Sequence, residues 1–348
     1  DTFEGNTDGC HLYSRHTTPS NLCLGEALAA MEGTETANVS ASGMGAITPV
    51  LLQLCGAGDH IVSSRTIYGG TYAFLKNFTP RLSIQTSFVD ITNLEIVEAS
   101  ITENTKVLYC ESVSNPLLEV ADIKGLAALA KKYSLTLVVD NTFSPLSISP
   151  IQLGADVVVH SLTKFINGSS DAVGGVVCGS QEFIDQLRSV IDGACMLLGS
   201  TMDSLRASSI LKNLRTLHIR MKQHSYNASY LANKFEADGI KTVYPGLESH
   251  PSHQLFTSMM NTEYGYGGML TIDAGSLEKA NALMETMQHN NVGYLAVSLG
   301  FYKTLFSAPG TSTSSEIPEE EQVEMGLSDG LIRFSIGLDK ISKESIRP

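Results

Sequence analysis

The sequence predicts an α/β protein: a mostly parallel sheet flanked by helices, followed by a smaller α+β domain. Three observations carry this. From Ala37 to Ile191, short apolar runs alternate with helix-length stretches, the pattern of a parallel sheet with crossover helices. Two of those runs, Leu137-Val-Val-Asp140 and Asp156-Val-Val-Val-His160, are almost continuously apolar, as strands covered on both faces must be. Beyond residue 200 the alternation stops and a long helical stretch leads into scattered short strands.

Each element has its own reason. Residues 1–20 read as a polar arm holding Gly5 and Gly9 and ending near Pro19. Leu22, Ala27, Leu28 and Met31 recur at helical spacing over Asn21–Glu32. Strands are expected at Ala37–Ala41, His60–Ser64, Val107–Glu111, Leu135–Asp140, Asp156–Ser161 and Ala172–Cys178. Helices are expected at Gly43–Leu54, Tyr68–Asn77, Ile123–Tyr133 and Glu182–Ile191. Residues 201–238, rich in Leu, Ala, Arg, Lys and Met, read as almost unbroken helix that Gly239 stops. Short strands follow at Thr242–Tyr244, Gly268–Ile272, Val292–Val297 and Leu331–Ile336, with a helix near 276–289. The Ser/Thr/Glu-rich run Pro309–Glu321 reads as a surface loop whose acids Glu316, Glu319, Glu320 and Glu321 face water.

Composition narrows the function. The 348 residues carry a net charge of −13 and no Lys/Arg-rich run, so nucleic acid and anionic membranes are poor partners. No apolar run approaches the ~18 residues of a membrane span. Six cysteines (Cys10, Cys23, Cys55, Cys110, Cys178 and Cys195) form no CxxC pair, which argues for buried thiols in a reducing, cytoplasmic setting and against a zinc site; no metal is expected. The chain opens at Asp1 rather than Met, so residues are expected to be missing upstream and a targeting signal is not judged.

Four chemically unusual points follow expected strands: Ser42-Gly43-Met44-Gly45, Glu111 with Asn115, Asp140, and Ser161-Leu162-Thr163-Lys164. In open α/β sheets ligands bind at the carboxyl ends of the strands, so the four converge on one site. A Gly-rich turn opening a helix offers N–H groups to a phosphate. Ser161 and Thr163 can add hydroxyls, and Lys164 is a candidate imine-forming amine. Asp140, ending an apolar strand, needs a partner that a protonated pyridine nitrogen would supply. Singly, each residue is most simply a surface lysine, a turn former or a helix cap. In this order and spacing they define a pyridoxal phosphate (PLP) site. Neither G-x-G-x-x-G nor a P-loop is present to support a nucleotide instead.

Seven motifs then carry a resemblance: Leu-Tyr-Ser-Arg (12–15), Ala-Ser-Gly-Met-Gly-Ala-Ile (41–47), Tyr-Gly-Gly-Thr-Tyr (68–72), Glu-Ser-Val-Ser-Asn-Pro (111–116), Val-Asp-Asn-Thr-Phe (139–143), His-Ser-Leu-Thr-Lys (160–164) and Ile-Arg-Phe-Ser-Ile-Gly-Leu (332–338). The sequence resembles the Cys/Met-metabolism family of PLP-dependent enzymes over nearly its whole length. The resemblance implies the aspartate-aminotransferase-like fold type I, with a seven-stranded sheet. It implies an arm over 1–20 contacting a neighbouring subunit, a cofactor domain over 21–220, a small domain over 221–348, and a homotetramer, a dimer of dimers with shared active sites.

The resemblance also implies roles. Lys164 resembles the Schiff-base lysine, Asp140 the pyridinium partner, and Gly43, Met44, Ser161 and Thr163 the phosphate cradle. Tyr68 resembles the ring that stacks on the cofactor and protonates the leaving group. Asn115 resembles the partner of the cofactor's phenolic oxygen, and Tyr13 and Arg15 the arm pair reaching a neighbour's phosphate. Ser298 and Arg333 resemble substrate-carboxylate contacts.

Within the family the sequence looks most like the plant-type methionine γ-lyases, which implies γ-elimination of L-methionine to methanethiol, 2-oxobutanoate and ammonia. O-acylhomoserine sulfhydrylase and cystathionine γ-synthase or lyase are the rivals. Family members handling cystathionine tend to carry Glu where Val297 stands, and bacterial methionine γ-lyases Cys where Gly70 stands. The end Ile341–Pro348 departs from the family, which continues with a further helix. A non-catalytic remnant of the fold is the rival from another class; intact Lys164, Asp140, Tyr68 and Arg333 argue against it.

Overall fold

The computed structural model describes residues 11, 13–312 and 317–339. Cys10, Leu12, Glu316, Ile341–Pro348 and residues 1–10 of the expected arm lie outside the described residues.

The large sheet has seven strands: β1 (Thr36–Ser40), β2 (His60–Ser64), β3 (Gln85–Val89), β4 (Thr105–Glu111), β5 (Thr136–Asp140), β6 (Val157–Ser161) and β7 (Gly175–Gly179). Their order is β1-β7-β6-β5-β4-β2-β3. The pairs β2–β3, β2–β4, β4–β5 and β5–β6 are parallel. β7 runs antiparallel to both neighbours, so β1 points the same way as β6. The carboxyl ends of β1, β4, β5 and β6 therefore share one edge. The α/β class and the mostly parallel sheet are as the sequence predicts, and the seven strands are as the resemblance implies.

Helices cover both faces. On one face lie α1 (Pro19–Glu32) and, further along the chain, Ile123–Tyr133, which bury Leu24, Leu28, Leu126 and Ala130 in one core. On the other, α2 (Met44–Leu54) and Gln181–Arg188 bury Ala46, Val50, Ile184 and Leu187 in a second. Each fully buried Leu contributes roughly 1.5–3 kcal/mol, far above the few tenths that separate helix propensities, so burial decides where these helices lie. The ends of α1 are local chemistry: Thr18 Oγ1 accepts from the Asn21 N–H at 3.3 Å, Pro19 opens the first turn, and Gly33 closes it in the left-handed region at φ +79°.

The remaining helices are α3 (Gly69–Ala73), α4 (Leu94–Ala99), α5 (Ile123–Tyr133), α6 (Gln181–Arg188), α7 (Ala194–Leu198), α8 (Ser204–Leu214), α9 (Leu217–Ala237), α10 (His253–Met259), α11 (Leu277–His289) and α12 (Glu319–Glu324). A second sheet, in order β10-β11-β12-β9-β8, comprises β8 (Thr242–Val243), β9 (Met269–Asp273), β10 (Tyr294–Leu295), β11 (Leu305–Ser307) and β12 (Leu331–Ser335). Its own core joins Leu270, Ile332 and Phe334 to Ala228 and Ala232 of α9. The opposite half of α9 puts Leu217 and Met221 into the first core. The expected junction at 220/221 thus falls inside this helix.

Several elements differ from expectation. Residues 201–238 form two helices that break at Arg215–Thr216; there the Arg220 guanidinium donates to the Asn213 carbonyl at 3.2 Å, satisfying an acceptor at the end of α8. The helix expected over Tyr68–Asn77 ends at Ala73 and continues as a wider turn, Phe74–Phe78. β3 is an edge strand whose polar Gln-Thr-Ser start hides it from an apolar-run criterion. The end of the expected loop Pro309–Glu321 enters α12, and Glu321 does not simply face water.

Among the described residues no helix is long and apolar enough to cross a membrane, and no group of three His, Cys, Asp or Glu could hold a metal ion. The five described cysteines are free thiols.

Candidate active site

The shared strand edge opens into a cavity of about 240 Å³. Its floor comes from the turns that follow β1, β5 and β6. Gly43 heads α2 without a side-chain cap, and no acceptor for the Gly43 and Met44 N–H groups is found among the described residues. The next N–H, that of Gly45, is taken by Ser42 Oγ at 2.9 Å. A Cβ on Gly43 would stand 2.9 Å from Ser161 Cβ, so only glycine lets these two turns meet. The Ser161 N–H donates to Thr142 Oγ1 at 2.8 Å, tying the turn after β6 to that after β5. The Thr163 hydroxyl is turned toward Gly174, accepting its N–H at 3.1 Å.

Two carboxylates lie beneath. Asp140 Oδ1 accepts the Thr142 N–H at 2.9 Å. Burial pushes the Asp140 carboxyl up; Thr142 donors and the neighbouring His160 oppose this. Glu111 is a brace: it accepts the Tyr68 N–H at 2.7 Å through Oε1 and the Asn115 N–H at 2.8 Å through Oε2. Burial, then the Asp140 charge, pushes its carboxyl well up.

The opposite wall comes from the second sheet. Arg333, only 2% exposed, reaches in from β12 and donates to Asn115 Oδ1 at 2.8 Å, the Val297 carbonyl at 3.1 Å and the Ser298 carbonyl at 3.3 Å. Lys164 Nζ donates to Ser298 Oγ at 3.3 Å. Burial, then the Arg333 charge, brings the Lys164 ammonium down to about 8. The turn carrying Val297 and Ser298 can lie this low because Gly300, at φ +75°, packs on the Lys164–Phe165 backbone where any Cβ would collide with Phe165 N.

Gly43, Met44, Tyr68, Asn115, Asp140, Ser161, Thr163, Lys164 and Arg333 thus line one cavity, with Ser298 in contact through Lys164. Tyr13 and Arg15 do not join them. Tyr13 is 60% exposed, and Arg15 donates to the Met196 carbonyl at 2.9 Å, in a different hollow. Sequence patterns assign no role to Glu111 as brace, to Thr142, or to the buried pair behind the floor, where His160 Nε2 meets Glu32 Oε1 at 2.8 Å. Thr142 lies within the Val-Asp-Asn-Thr-Phe run and was findable; Glu32 is on α1, and nothing local marks it.

PLP fits this cavity on the structure's own features. Asp140 is a buried carboxylate with no ion pair among the described residues, as a protonated ring nitrogen requires of its partner. Lys164 is an amine lining the cavity whose ammonium burial lowers to about 8, which raises the share of the imine-forming neutral amine. The open N–H groups at the start of α2, with Ser161 beside them, suit a phosphate.

Comparison with known proteins gives the same reading. The family model described as Cys/Met metabolism PLP-dependent enzyme matches residues 1–343. A methionine gamma-lyase of Arabidopsis thaliana is 48% identical over 330 residues, 94% of this chain and 75% of that protein. A cystathionine gamma-lyase of Bacillus subtilis is 38% identical over 94% of this chain and 84% of its own. The crystal structure of a cystathionine gamma synthase from Xanthomonas oryzae pv. oryzae, in complex with aminoacrylate and cysteine, superposes with a TM-score of 0.89 at 33% identity, covering 94% of this chain and 84% of that one. The chain belongs to the Cys/Met metabolism family of PLP-dependent enzymes, and pyridoxal phosphate is its cofactor.

Proposed function

We propose that this chain is a lyase that cleaves L-methionine and water into methanethiol, 2-oxobutanoate and ammonia by γ-elimination. The observation that carries the choice of substrate is Val297: it lines the cavity beside Arg333, which donates to its carbonyl at 3.1 Å, and a substrate bearing a second amino-acid head would need a charged partner there. The 48% identity to a methionine gamma-lyase supports it.

Bound PLP supplies the carbonyl that takes the substrate's amine and an electron sink for the α-carbon. In this reading Gly43 and Met44 N–H groups, Ser161 and Thr163 hold its phosphate, Asp140 its ring nitrogen and Asn115 its phenolic oxygen. Arg333 and Ser298 fix the substrate carboxylate; Arg333 is already aimed by three carbonyl acceptors, so little ordering is needed on binding. Lys164, whose ammonium is lowered to about 8, would remove the α-proton. Tyr68, held through its N–H by Glu111, gives a proton to the departing sulfur.

The same proposal covers organisation. Residues 21–220 form the cofactor domain and 221–348 the small domain. The arm, with Tyr13 and Arg15, serves the site of a second copy in a homotetramer with shared sites. Support comes from exposed Leu197, Leu198 and Ile191 near Arg15's contact on α7, apolar surface that a second copy would cover. Four of the five described thiols, those of Cys55, Cys110, Cys178 and Cys195, are free and buried while Cys23 is exposed; unpaired thiols support a cytoplasmic location, which imaging of a tagged chain would check.

The deciding measurement is kcat/KM for methionine and cystathionine. Methionine is expected to lead at least tenfold, about 1.4 kcal/mol in the barrier. Val297→Glu, by offering a partner to the distal ammonium, should move the ratio toward cystathionine by about as much. Cystathionine preferred by the unmodified chain would place it in the cystathionine branch, and release of a thioether when a thiol is added to an O-acylhomoserine would place it among the sulfhydrylases.

A further inference from the structure

We propose that Glu321 is a positioning residue for Tyr68, clasping α3, the helix that Tyr68 opens, through Tyr72. The inference rests on the reading of Tyr68 as the group that protonates the leaving sulfur.

Glu321 lies on α12, between β11 and the β12 strand that bears Arg333. Its segment leaves the small sheet and packs on the large one: Ile317, 3% exposed, enters the same core as Ile67, Tyr72 and Leu75. Glu321 Oε2 accepts the Tyr72 hydroxyl at 2.6 Å, and Oε1 accepts Lys76 Nζ at 3.1 Å. The lysine pair is half-exposed and contributes little. The hydroxyl–carboxylate bond is charge-assisted, and Tyr72 is 1% exposed. That bond therefore carries the clasp. Burial and then Glu321 push the Tyr72 phenol up, so it stays the donor.

Tyr72 is tied directly to Tyr68. Its N–H donates to the Tyr68 carbonyl at 3.0 Å, closing the turn that opens α3. The Tyr68 ring rests on that same turn: a Cβ added to Gly70 would come within 2.5 Å of Tyr68 Cε1. A ring so close to the turn moves when the turn moves. Glu111 pins the Tyr68 N–H from below and Glu321 pins α3 from above.

The test compares the holoenzyme with Tyr72→Phe, Glu321→Ala, Glu321→Gln and the Tyr72→Phe/Glu321→Ala double variant. Readouts are kcat and KM for methionine, the PLP dissociation constant by absorbance titration of the apoenzyme, and the thermal midpoint. Tyr72→Phe and Glu321→Ala should each lower kcat about tenfold with KM nearly unchanged, and weaken PLP binding severalfold. Glu321→Gln, which still accepts the hydroxyl, should keep most of the activity. The double variant should be no worse than either single one. A fall in thermal midpoint with unchanged kcat and PLP affinity overturns the proposal, as do losses that multiply in the double variant. If the unmodified chain fails to cleave methionine, the substrate reading fails, and the PLP dissociation constants still decide the clasp.

Discussion

The floor and the far wall of the cavity are built in opposite ways. The floor comes from strand ends and the turns just after them, held by backbone N–H groups and side chains from adjacent strands: Thr142 to Asp140, Ser161 to Thr142, Ser42 to Gly45. The wall is held by side chains reaching between distant parts of the chain: Arg333 to Asn115, Lys164 to Ser298. A floor braced by main chain tolerates no change of shape, and so suits the reaction every family member shares. A wall of side chains can be altered one contact at a time, and so suits choice of substrate.

The largest effect should come from the floor. Lys164→Ala is expected to lower kcat by at least about 10³-fold, since both the proton shuttle and the bond to the cofactor are lost, while circular dichroism stays native. Mixed with Arg15→Ala chains under conditions of subunit exchange, it should regain part of the activity, because one interface then holds one intact site; no recovery would break the shared-site reading. Arg333→Lys attacks the wall. It keeps the charge and loses the fork that meets Asn115 and two carbonyls together, so kcat/KM should fall roughly 10–100-fold, mostly through KM. An unchanged KM would mean that Arg333 holds the wall rather than the substrate. The smallest effect joins the two. With the Lys164 ammonium lowered to about 8, the reactive neutral amine gains about tenfold per pH unit below that value and levels off above it. The rate of apoenzyme reconstitution with PLP should follow that curve, and a rise that persists toward pH 10 would show an amine that burial and Arg333 do not perturb.

The same contrast explains what could be read from the sequence. The floor was legible because each part is a local pattern: an apolar run, a polar residue at its end, a glycine or hydroxyl beginning the next element. Asp140, Ser161 and Gly43 needed no knowledge of distant contacts. Arg333 is marked by the motif at 332–338 and Ser298 by the resemblance alone, not by local physics; nothing nearby says that a buried strand would aim a guanidinium at Asn115. Glu321 was misread because its partner Tyr72 is remote in sequence and three other acids surround it, so a solvated face was the simplest account. Glu111 stood out as an acid at a strand end, but its brace on Tyr68 depends on how the turn after β2 folds over β4.

The helix α9 ties the fates of the two halves together. Its 21 residues make a rod of about 30 Å at 1.5 Å per residue. One end is embedded in the core of the large sheet through Leu217 and Met221, the other in that of the small sheet through Ala228 and Ala232. Freeing the small sheet by heat or denaturant means unravelling this rod, which strips apolar surface from the large sheet as well. Through α9, melting of the small sheet is therefore coupled to exposure of the large sheet's core.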